Sequence, residues 1–132
     1  FATLFLGRLD MSSGRLYYVN AGHNRPLLLR AGGGLDRLEE GGIIIGAFDG
    51  TRHTEGRVDL ARGDILLGFS DGISETWEDP DVADRTLSEI VRKYDHLDAA
   101  GIRDGVFREV GRQGQTFIGK DDQTVIVLKR NR

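Results

Sequence analysis

Apolar residues recur at helical spacing in only one part of this 132-residue chain, from residue 79 to residue 110. Asp79-Pro80 is a typical helix start, because the aspartate can cap the helix and proline suits the first turn. The apolar stripe of this helix follows the 3.6-residue period and consists of Val82, Leu87, Ile90, Val91 and Tyr94. Asp98 predicts the start of a second helix, whose apolar residues are Ile102, Val106 and Val110. Strand patterns precede and follow this pair, which predicts an α+β fold with a helical hairpin on one face of a sheet.

Six segments have the composition and alternation of β-strands, namely residues 1–10, 15–20, 26–31, 52–60, 64–70 and 123–129. The first three are joined by short turns, which predicts an antiparallel meander. The first and fifth are apolar on both faces, so we expect each of them to be covered on both sides. The glycine-bracketed residues 41–46 fit no single state, and their structure stays open.

The composition narrows the class of protein. An apolar content of 39% is enough for a core, and a net charge of −3 offers no basic surface for nucleic acid. No apolar run reaches the roughly 18–20 residues of a membrane span. The chain has no cysteine, which excludes disulfides and thiolate metal sites and agrees with a cytoplasmic location. We therefore expect a globular cytoplasmic domain with no nucleic-acid or membrane partner.

Two acidic sites adjoin strands that the topology is expected to bring together. Residues 64–70 end at Asp71-Gly72, and Asp121-Asp122 opens the strand of residues 123–129. Because two helices of similar length carry the chain out and back, both sites are expected at the same end of the sheet. Neighbouring carboxylates repel unless a cation neutralises them, and oxygen ligands favour Mg²⁺ or Mn²⁺ over zinc. The alternative is an ordinary Asp-Gly turn and a solvated Asp-Asp loop.

Three motifs, correctly ordered and spaced along the chain, resemble segments of one known family. Residues 64–75 (DILLGFSDGISE) resemble the strand-plus-Asp-Gly segment of the metal-dependent PPM-type protein phosphatases, and residues 121–128 (DDQTVIVL) resemble their closing strand. Residues 20–29 (NAGHNRPLLL) are similar to the N-A-G-H-x-x-P-L-L segment of the bacterial stage II sporulation protein E branch. These segments span nearly the whole chain, which therefore resembles the C-terminal part of such a domain.

The resemblance implies a β-sandwich flanked by helices, in the layer order αββα, with two Mn²⁺ or Mg²⁺ ions at one end. It also implies that the metals activate a water that hydrolyses phosphoserine or phosphothreonine without a phosphoenzyme. By motif position, Asp71 and Asp121 would be metal ligands, and Asp122 a supporting group or an alternative ligand. The implied substrate is a phosphorylated bacterial signalling protein such as an anti-sigma-factor antagonist.

The chain departs from the family pattern in two respects. Relatives carry an upstream D-x-x-G-H-G-like motif with a bridging aspartate, and nothing in the 132 residues matches it. Residues 1–132 are therefore expected to be one partial phosphatase domain without its N-terminal strands, weak or inactive alone, and able to dimerise or swap segments. Eukaryotic-type relatives have an aspartate where this chain has His23, so a third metal is not expected there. The alternative function is a phosphatase-like module that binds a partner without catalysis.

Other motifs are weaker guides to chemistry. Residues 68–72 (GFSDG) fit the G-x-S-x-G nucleophile elbow with Ser70 as nucleophile, but the only later histidine is His96. Residues 31–34 (AGGG) lack the lysine of a phosphate-binding loop and are predicted to form a hairpin tip. We expect His23 to form hydrogen bonds in the turn after the second strand, and Trp77 to pack at the edge of the helical layer.

Overall fold

The fold is known from a computed structural model that describes residues 1–113 and 121–132. The strands in these residues are β1 (Leu4–Asp10), β2 (Arg15–Ala21), β3 (Leu27–Leu29), β4 (Leu35–Arg37), β5 (Gly41–Gly42), β6 (Gly56–Asp59), β7 (Ile65–Phe69) and β8 (Val125–Lys129). The helices are α1 (Asp71–Ser74), α2 (Pro80–Lys93) and α3 (Ala99–Gln113). All three helices lie between β7 and β8 in the chain, which confirms the predicted α+β class.

The strands form two sheets. In the first sheet, β2 pairs antiparallel with β1 and with β6, and a short parallel contact joins β2 to β5. In the second sheet the order is β4-β3-β7-β8, and every neighbouring pair is antiparallel. The predicted antiparallel sandwich is thus confirmed. Residues 41–46, whose state was open, contribute β5 and a bridge between Ile45 and Ala2.

The prediction of a meander from the first three strands is wrong, because β3 belongs to the second sheet. Leu27 and Leu29 pack in the apolar cluster beneath the helices, whereas Leu28 packs between the two sheets. A strand with apolar side chains on both faces is best placed in the middle of a layered structure. Short turns alone do not distinguish a hairpin partner from a strand that crosses to the other sheet.

Two apolar clusters hold the helices and the two sheets together. The larger cluster lies between the second sheet and helices α2 and α3, and from β7 it takes Ile65, Leu67 and Phe69. The smaller cluster lies between the sheets and includes Leu16 of β2, with Leu66 of β7 packed against it. Strand β7 is therefore covered on both faces, as its sequence predicted.

The prediction that the first strand is covered on both sides is wrong for the residues described. Phe5 and Leu9 point inward and pack against the cluster between the sheets. Leu4 and Leu6 lie on the other face and are 42% and 62% exposed. Because α2 and α3 both pack on the second sheet, they leave this outer face of the first sheet open.

The two long helices start at the caps that the sequence predicted. The Asp79 carboxylate accepts a hydrogen bond from Asp81 N at 2.8 Å, with Pro80 in the first turn of α2. The Asp98 carboxylate accepts one from Gly101 N at 2.8 Å at the start of α3. The short elements α1 and β4 were not predicted, since segments of three or four residues show no clear period. Within the described ranges, none of the helices has both the length and the apolar character that crossing a membrane requires.

Asp64 is a buried carboxylate that joins three segments of the chain. It directly precedes β7 and is only 1% exposed. Its oxygens accept hydrogen bonds from Ala31 N and Ala61 N, each at 2.8 Å, and from the Arg30 guanidinium at 3.0 Å. Burial by itself raises the pKa of the Asp64 carboxyl, but these hydrogen bonds and the Arg30 charge outweigh it and lower the pKa from its ordinary value of 3.8.

Replacing Asp64 with asparagine is expected to destabilise the fold by about 2–4 kcal/mol at neutral pH, because it removes charge-assisted hydrogen bonds and turns an amide group toward N–H donors. The folded pKa of Asp64 lies below the unfolded value. Its contribution is therefore fully present above about pH 4 and is lost as the pH falls through the lower, folded pKa. Urea denaturation of both proteins between about pH 7 and pH 2 measures the size and the pH dependence of the effect.

Asp36→Asn serves as the control for this experiment. Asp36 also accepts a hydrogen bond from Arg30, at 2.8 Å, but it is exposed, so its removal should change stability little. A stability difference between the Asp64→Asn variant and the parent protein that does not shrink toward low pH would contradict the assigned role of Asp64.

Candidate functional site

Strand β7 ends at the same edge of the second sheet at which strand β8 begins. They pair antiparallel, and the last residue pair toward this edge joins Phe69 to Val125. Asp71 begins α1 just after β7, and the pair Asp121-Asp122 lies just before β8. The expected pairing of the two strands is therefore present, and it brings the predicted acidic residues to the same rim.

Ser70 joins the two acidic segments through hydrogen bonds. Its backbone N–H donates to Thr124 O at 3.1 Å. Its hydroxyl accepts a hydrogen bond from Thr124 N at 2.9 Å and donates one to Asp122 O at 3.1 Å. Beside it, Gly72 O accepts a hydrogen bond from Gln123 Nε2 at 3.1 Å. These contacts hold residues 70–72 against residues 121–124.

Gly72 permits this close contact because a side chain would not fit. A Cβ atom at position 72 would fall far inside the van der Waals distance of Asp122 O, and would lie 3.2 Å from Asp121 O. The backbone of Gly72 does not have a positive φ angle. Glycine is therefore required here for space and not for an unusual backbone conformation.

A cavity of about 280 Å³ opens at this rim. Its lining includes Asp71, Asp121 and Asp122, so all three predicted site residues contribute to one cavity. All three residues are exposed to solvent. Asp122 N donates a hydrogen bond to Asp121 Oδ1 at 2.8 Å, which constrains the orientation of the Asp121 carboxylate. The remaining lining residues are Thr3, Gly22, His23, Asn24, Ser70 and Thr124.

The donor atoms of this cavity suit a hard divalent cation. Three aspartates line this solvent-accessible space, and Mg²⁺ in particular retains several waters and needs only one or two carboxylates from the protein. Within residues 1–113 and 121–132, no three His, Cys, Asp or Glu side chains converge into a ready-made metal cage. An ion bound here would therefore complete its coordination with water or with groups other than these side chains.

The loop after β2 also lines the cavity, which the sequence analysis did not anticipate. Because β3 runs antiparallel to β7, the loop that precedes β3 reaches the edge where β7 ends. Asn20 is 4% exposed and anchors this loop, since its Oδ1 accepts a hydrogen bond from His23 N at 2.8 Å and its Nδ2 donates to Leu38 O at 3.1 Å. His23 Nδ1 lies 3.0 Å from Asn24 O. These hydrogen bonds agree with the expected structural role of His23, and the N-A-G-H segment was the signal that could have placed the loop at the site.

The nucleophile-elbow interpretation of residues 68–72 does not fit this geometry. The Ser70 hydroxyl is engaged with the backbone of residues 122–124. Lys129 Nζ donates to Asp95 O at 2.6 Å and to Leu97 O at 2.7 Å. His96 therefore lies at the end of β8 that is farthest from Ser70, where it cannot form a catalytic triad with it.

Two further sequence predictions concern residues outside the cavity. Residues 31–34 form the turn between β3 and β4, where Arg30 N donates a hydrogen bond to Gly34 O at 2.8 Å. Trp77 packs against the cluster beneath the helices, and its Nε1 donates to Gln113 Oε1 at 3.0 Å. Both placements agree with the predictions.

The chain matches known proteins along nearly its full length. The family described as Stage II sporulation protein E (SpoIIE) matches residues 1–131. A structure of the PP2C phosphatase domain and a fragment of the regulatory domain of SpoIIE from Bacillus subtilis superposes with a TM-score of 0.78 at 25% identity, covering 98% of this chain and 38% of that chain. The Bacillus subtilis SpoIIE phosphatase domain, in a manganese-presoaked form, gives a TM-score of 0.72 at 23% identity, covering 98% of this chain and 56% of that chain.

Similarity to a curated protein covers a smaller region. Protein IcfG from Synechocystis sp. is 36% identical over 75 residues, which are 57% of this chain and 12% of that protein. The chain thus spans only a small part of this relative and between a third and three fifths of the two solved chains. The fold of the chain is that of PP2C-type phosphatase domains.

Gly72→Ala is expected to destabilise the protein by about 1–3 kcal/mol, because the added methyl group would push the backbone of residues 121–122 away. Gly111→Ala is the matched control, since Gly111 is also helical but, among the described residues outside its own helical turn, has no atom within 4 Å of the place that a Cβ would occupy. Alanine at position 111 should stabilise the protein by up to about 1 kcal/mol through its helix propensity. Urea denaturation distinguishes the two variants, and equal stability of both would contradict the close approach at Gly72.

Proposed function

Because the chain belongs to the stage II sporulation protein E (SpoIIE) family, we propose that it forms part of a metal-dependent protein serine/threonine phosphatase domain. The proposed reaction is the hydrolysis of a phosphoserine or phosphothreonine monoester by water. The observation that carries the proposal is that Asp71 and Asp121, which are far apart in the sequence, line one cavity at the rim of the second sheet. Residues 1–132 are then one partial phosphatase domain.

The proposed cofactor is a pair of Mn²⁺ or Mg²⁺ ions. Asp71 and Asp121 would be ligands, with Asp122 as a supporting or alternative ligand. The oxygen-only donor set supports this choice, as does the manganese presoak of the Bacillus subtilis SpoIIE phosphatase domain. When bound, such ions lower the pKa of a coordinated water and offset negative charge on the phosphoryl group.

The chain's own residues have positioning roles in this proposal. The hydrogen bonds of Ser70 and Gln123 keep the two acidic segments at a fixed separation. The backbone N–H of Asp122 fixes the carboxylate of Asp121. Groups that orient a ligand in this way typically change metal affinity by roughly 10- to 100-fold when they are lost. The site is thus held in shape by contacts that need no metal.

The proposed substrate is a phosphorylated protein of bacterial stress or sigma-factor signalling, such as an anti-sigma-factor antagonist, which places the reaction in the cytoplasm. Family membership supports the choice of a phosphoprotein. Self-association is part of the same proposal, because β1 lies at the edge of its sheet and its outer face exposes Leu4 and Leu6. A crystal form without domain swapping is known for the Bacillus subtilis SpoIIE phosphatase domain.

A second candidate function is a phosphatase-like module that binds a phosphoprotein without hydrolysing it. It is favoured by one observation, which is that nothing in the 132 residues matches the D-x-x-G-H-G-like motif whose aspartate bridges the metals in relatives. The two candidates differ in a measurable way. A catalytic domain turns over a phosphopeptide when Mn²⁺ is added, whereas a binding module retains the phosphopeptide unchanged.

In the complete protein that contains this chain, Asp71→Asn and Asp121→Asn should each reduce Mn²⁺-stimulated hydrolysis of a phosphoserine peptide by more than about 100-fold. A direct ligand should matter more than an outer group, whose loss costs roughly 10- to 100-fold. Release of inorganic phosphate measures the hydrolysis, and calorimetric titration with Mn²⁺ measures the metal affinity, which should fall in both variants.

Asp104→Asn is the control for charge, because Asp104 is exposed on α3 and does not line the cavity. It should leave hydrolysis and Mn²⁺ affinity unchanged. Full activity in either the Asp71 or the Asp121 variant would refute the site. A parent protein that binds both Mn²⁺ and the phosphopeptide without releasing phosphate would instead favour the binding module.

A further inference from the structure

A second cavity, of about 310 Å³, adjoins the first one. The two cavities share His23 and Asn24 as lining residues. Between them, Asn24 Nδ2 donates a hydrogen bond to Ser74 Oγ at 3.3 Å, and Ser74 lines only the second cavity. We call this second cavity the α1–α2 groove, because most of its wall comes from α1, α2 and the residues that connect them. A substrate whose phosphoryl group enters the first cavity would therefore have adjacent atoms next to the groove.

The groove has an apolar, rigid side. Phe69, Trp77, Pro80 and Ala83 provide apolar surface there. Phe69 is 5% exposed, so its ring is fixed in the core beneath the helices. Trp77 is only partly buried, and the hydrogen bond from its Nε1 to Gln113 Oε1 at 3.0 Å holds the indole ring in place. A partly exposed indole in a fixed orientation is a favourable contact surface for an apolar side chain or a cation.

The lining of the groove also includes acidic residues. Glu75 and Glu78 are exposed and line the groove, and neither forms an ion pair with another residue of the described ranges. The third carboxylate, Asp84, is different because it is buried and paired with Arg37 at 2.6 Å and with Arg25 at 3.6 Å. Arg25 is the one cation among the described lining residues. Among the described residues that line the groove, the unpaired charge that a ligand would meet is therefore that of Glu75 and Glu78.

We propose that the α1–α2 groove binds the polypeptide segment next to the phosphorylated residue of the substrate, and that it prefers a segment with a lysine or arginine near an apolar side chain. This inference rests on the proposed phosphatase function, because it uses the first cavity as the place of the phosphoryl group. The basic side chain meets Glu75 and Glu78, while the apolar side chain packs against Pro80 and the partly exposed ring of Trp77. The volume is at the lower end for ligand cavities, which suits a short segment and not a folded domain.

Charge complementarity favours this occupant over an acidic one. An acidic segment would bring like charges close to Glu75 and Glu78, in addition to the carboxylates of the neighbouring cavity. Recognition through two exposed carboxylates is also expected to weaken as salt increases. The groove thus supplies a sequence preference, whereas the acidic rim of the second sheet supplies the proposed metal site.

The test uses two fluorescein-labelled phosphoserine peptides that are identical except at one position near the phosphoserine, which is arginine in one and glutamate in the other. In both peptides the ester oxygen of the phosphoserine is replaced by a methylene group, which prevents hydrolysis, and their affinities for the complete protein are measured by fluorescence anisotropy with Mn²⁺ present. The parent protein should prefer the arginine peptide. The Glu75→Gln/Glu78→Gln double variant should reduce that preference by about three- to tenfold, as expected for the loss of two exposed ion pairs.

The matched control is Glu55→Gln/Glu89→Gln, which makes the same change in net charge at exposed residues outside the groove. This control should leave the preference for the arginine peptide unchanged. It therefore distinguishes recognition in the groove from a general effect of the net charge of the protein. Trp77 is the single tryptophan of the 132 residues, and its fluorescence emission reports whether the peptide binds in the groove. Binding of the arginine peptide should change tryptophan emission in the parent protein, and this change should be absent in Trp77→Phe.

The outcomes separate this inference from the proposed function. An equal loss of preference in both double variants, or an unchanged preference in the Glu75→Gln/Glu78→Gln protein, would overturn the role of the groove even if the protein hydrolyses phosphopeptides. A preference that depends on Glu75 and Glu78 supports the groove even if no hydrolysis is found, in which case only the catalytic proposal fails. A Trp77 emission that does not respond to a bound peptide would place the peptide elsewhere and also overturn the inference.

Discussion

The antiparallel ladder between β7 and β8 determines where the candidate functional residues lie. Along β7, Ile65, Leu67 and Phe69 face the helices, while Leu66 faces the first sheet. Because both faces are buried, a shift of the ladder by one residue would move each of these side chains to the wrong cluster. The core therefore enforces the register, and the register places residue 71 beside residues 121 and 122. The geometry of the proposed site is thus a consequence of packing.

At the rim, the ladder continues as a set of contacts that only particular residues can make. Beyond the last paired residues of β7 and β8, Ser70 connects the two segments through hydrogen bonds of its backbone and its hydroxyl. Gly72 has no side chain and so leaves room for the backbone of residues 121 and 122. Two carboxylate-bearing segments would otherwise tend to separate through charge repulsion. The neutral contacts of Ser70, Gly72 and Gln123 oppose this tendency and keep the acidic residues close in the absence of a cation.

Local signals in the sequence were sufficient to predict some of the helices and strands but not others. The caps at Asp79 and Asp98 and the apolar stripes between them predicted α2 and α3, because a helix is defined by neighbours three or four residues away. The convergence of Asp71 and Asp121 was also predictable, since two helices that cross a sheet and return fix the direction of the next strand. The partner of β3 was not predictable, because its three leucines suit any strand that is buried on both faces. The roles assigned to individual carboxylates came from the resemblance and not from spacing.

The two cavities are built by different parts of the fold. The acidic cavity is built at strand ends and is fixed by the core, whereas the α1–α2 groove is built largely by short elements that follow β7. Surface residues such as Glu75 and Glu78 can change with little effect on stability, because they carry no core packing. Changes at Gly72 or Ser70 disturb the ladder itself. The proposed substrate preference can therefore vary in this architecture while the strand ends that would bind metal stay constant.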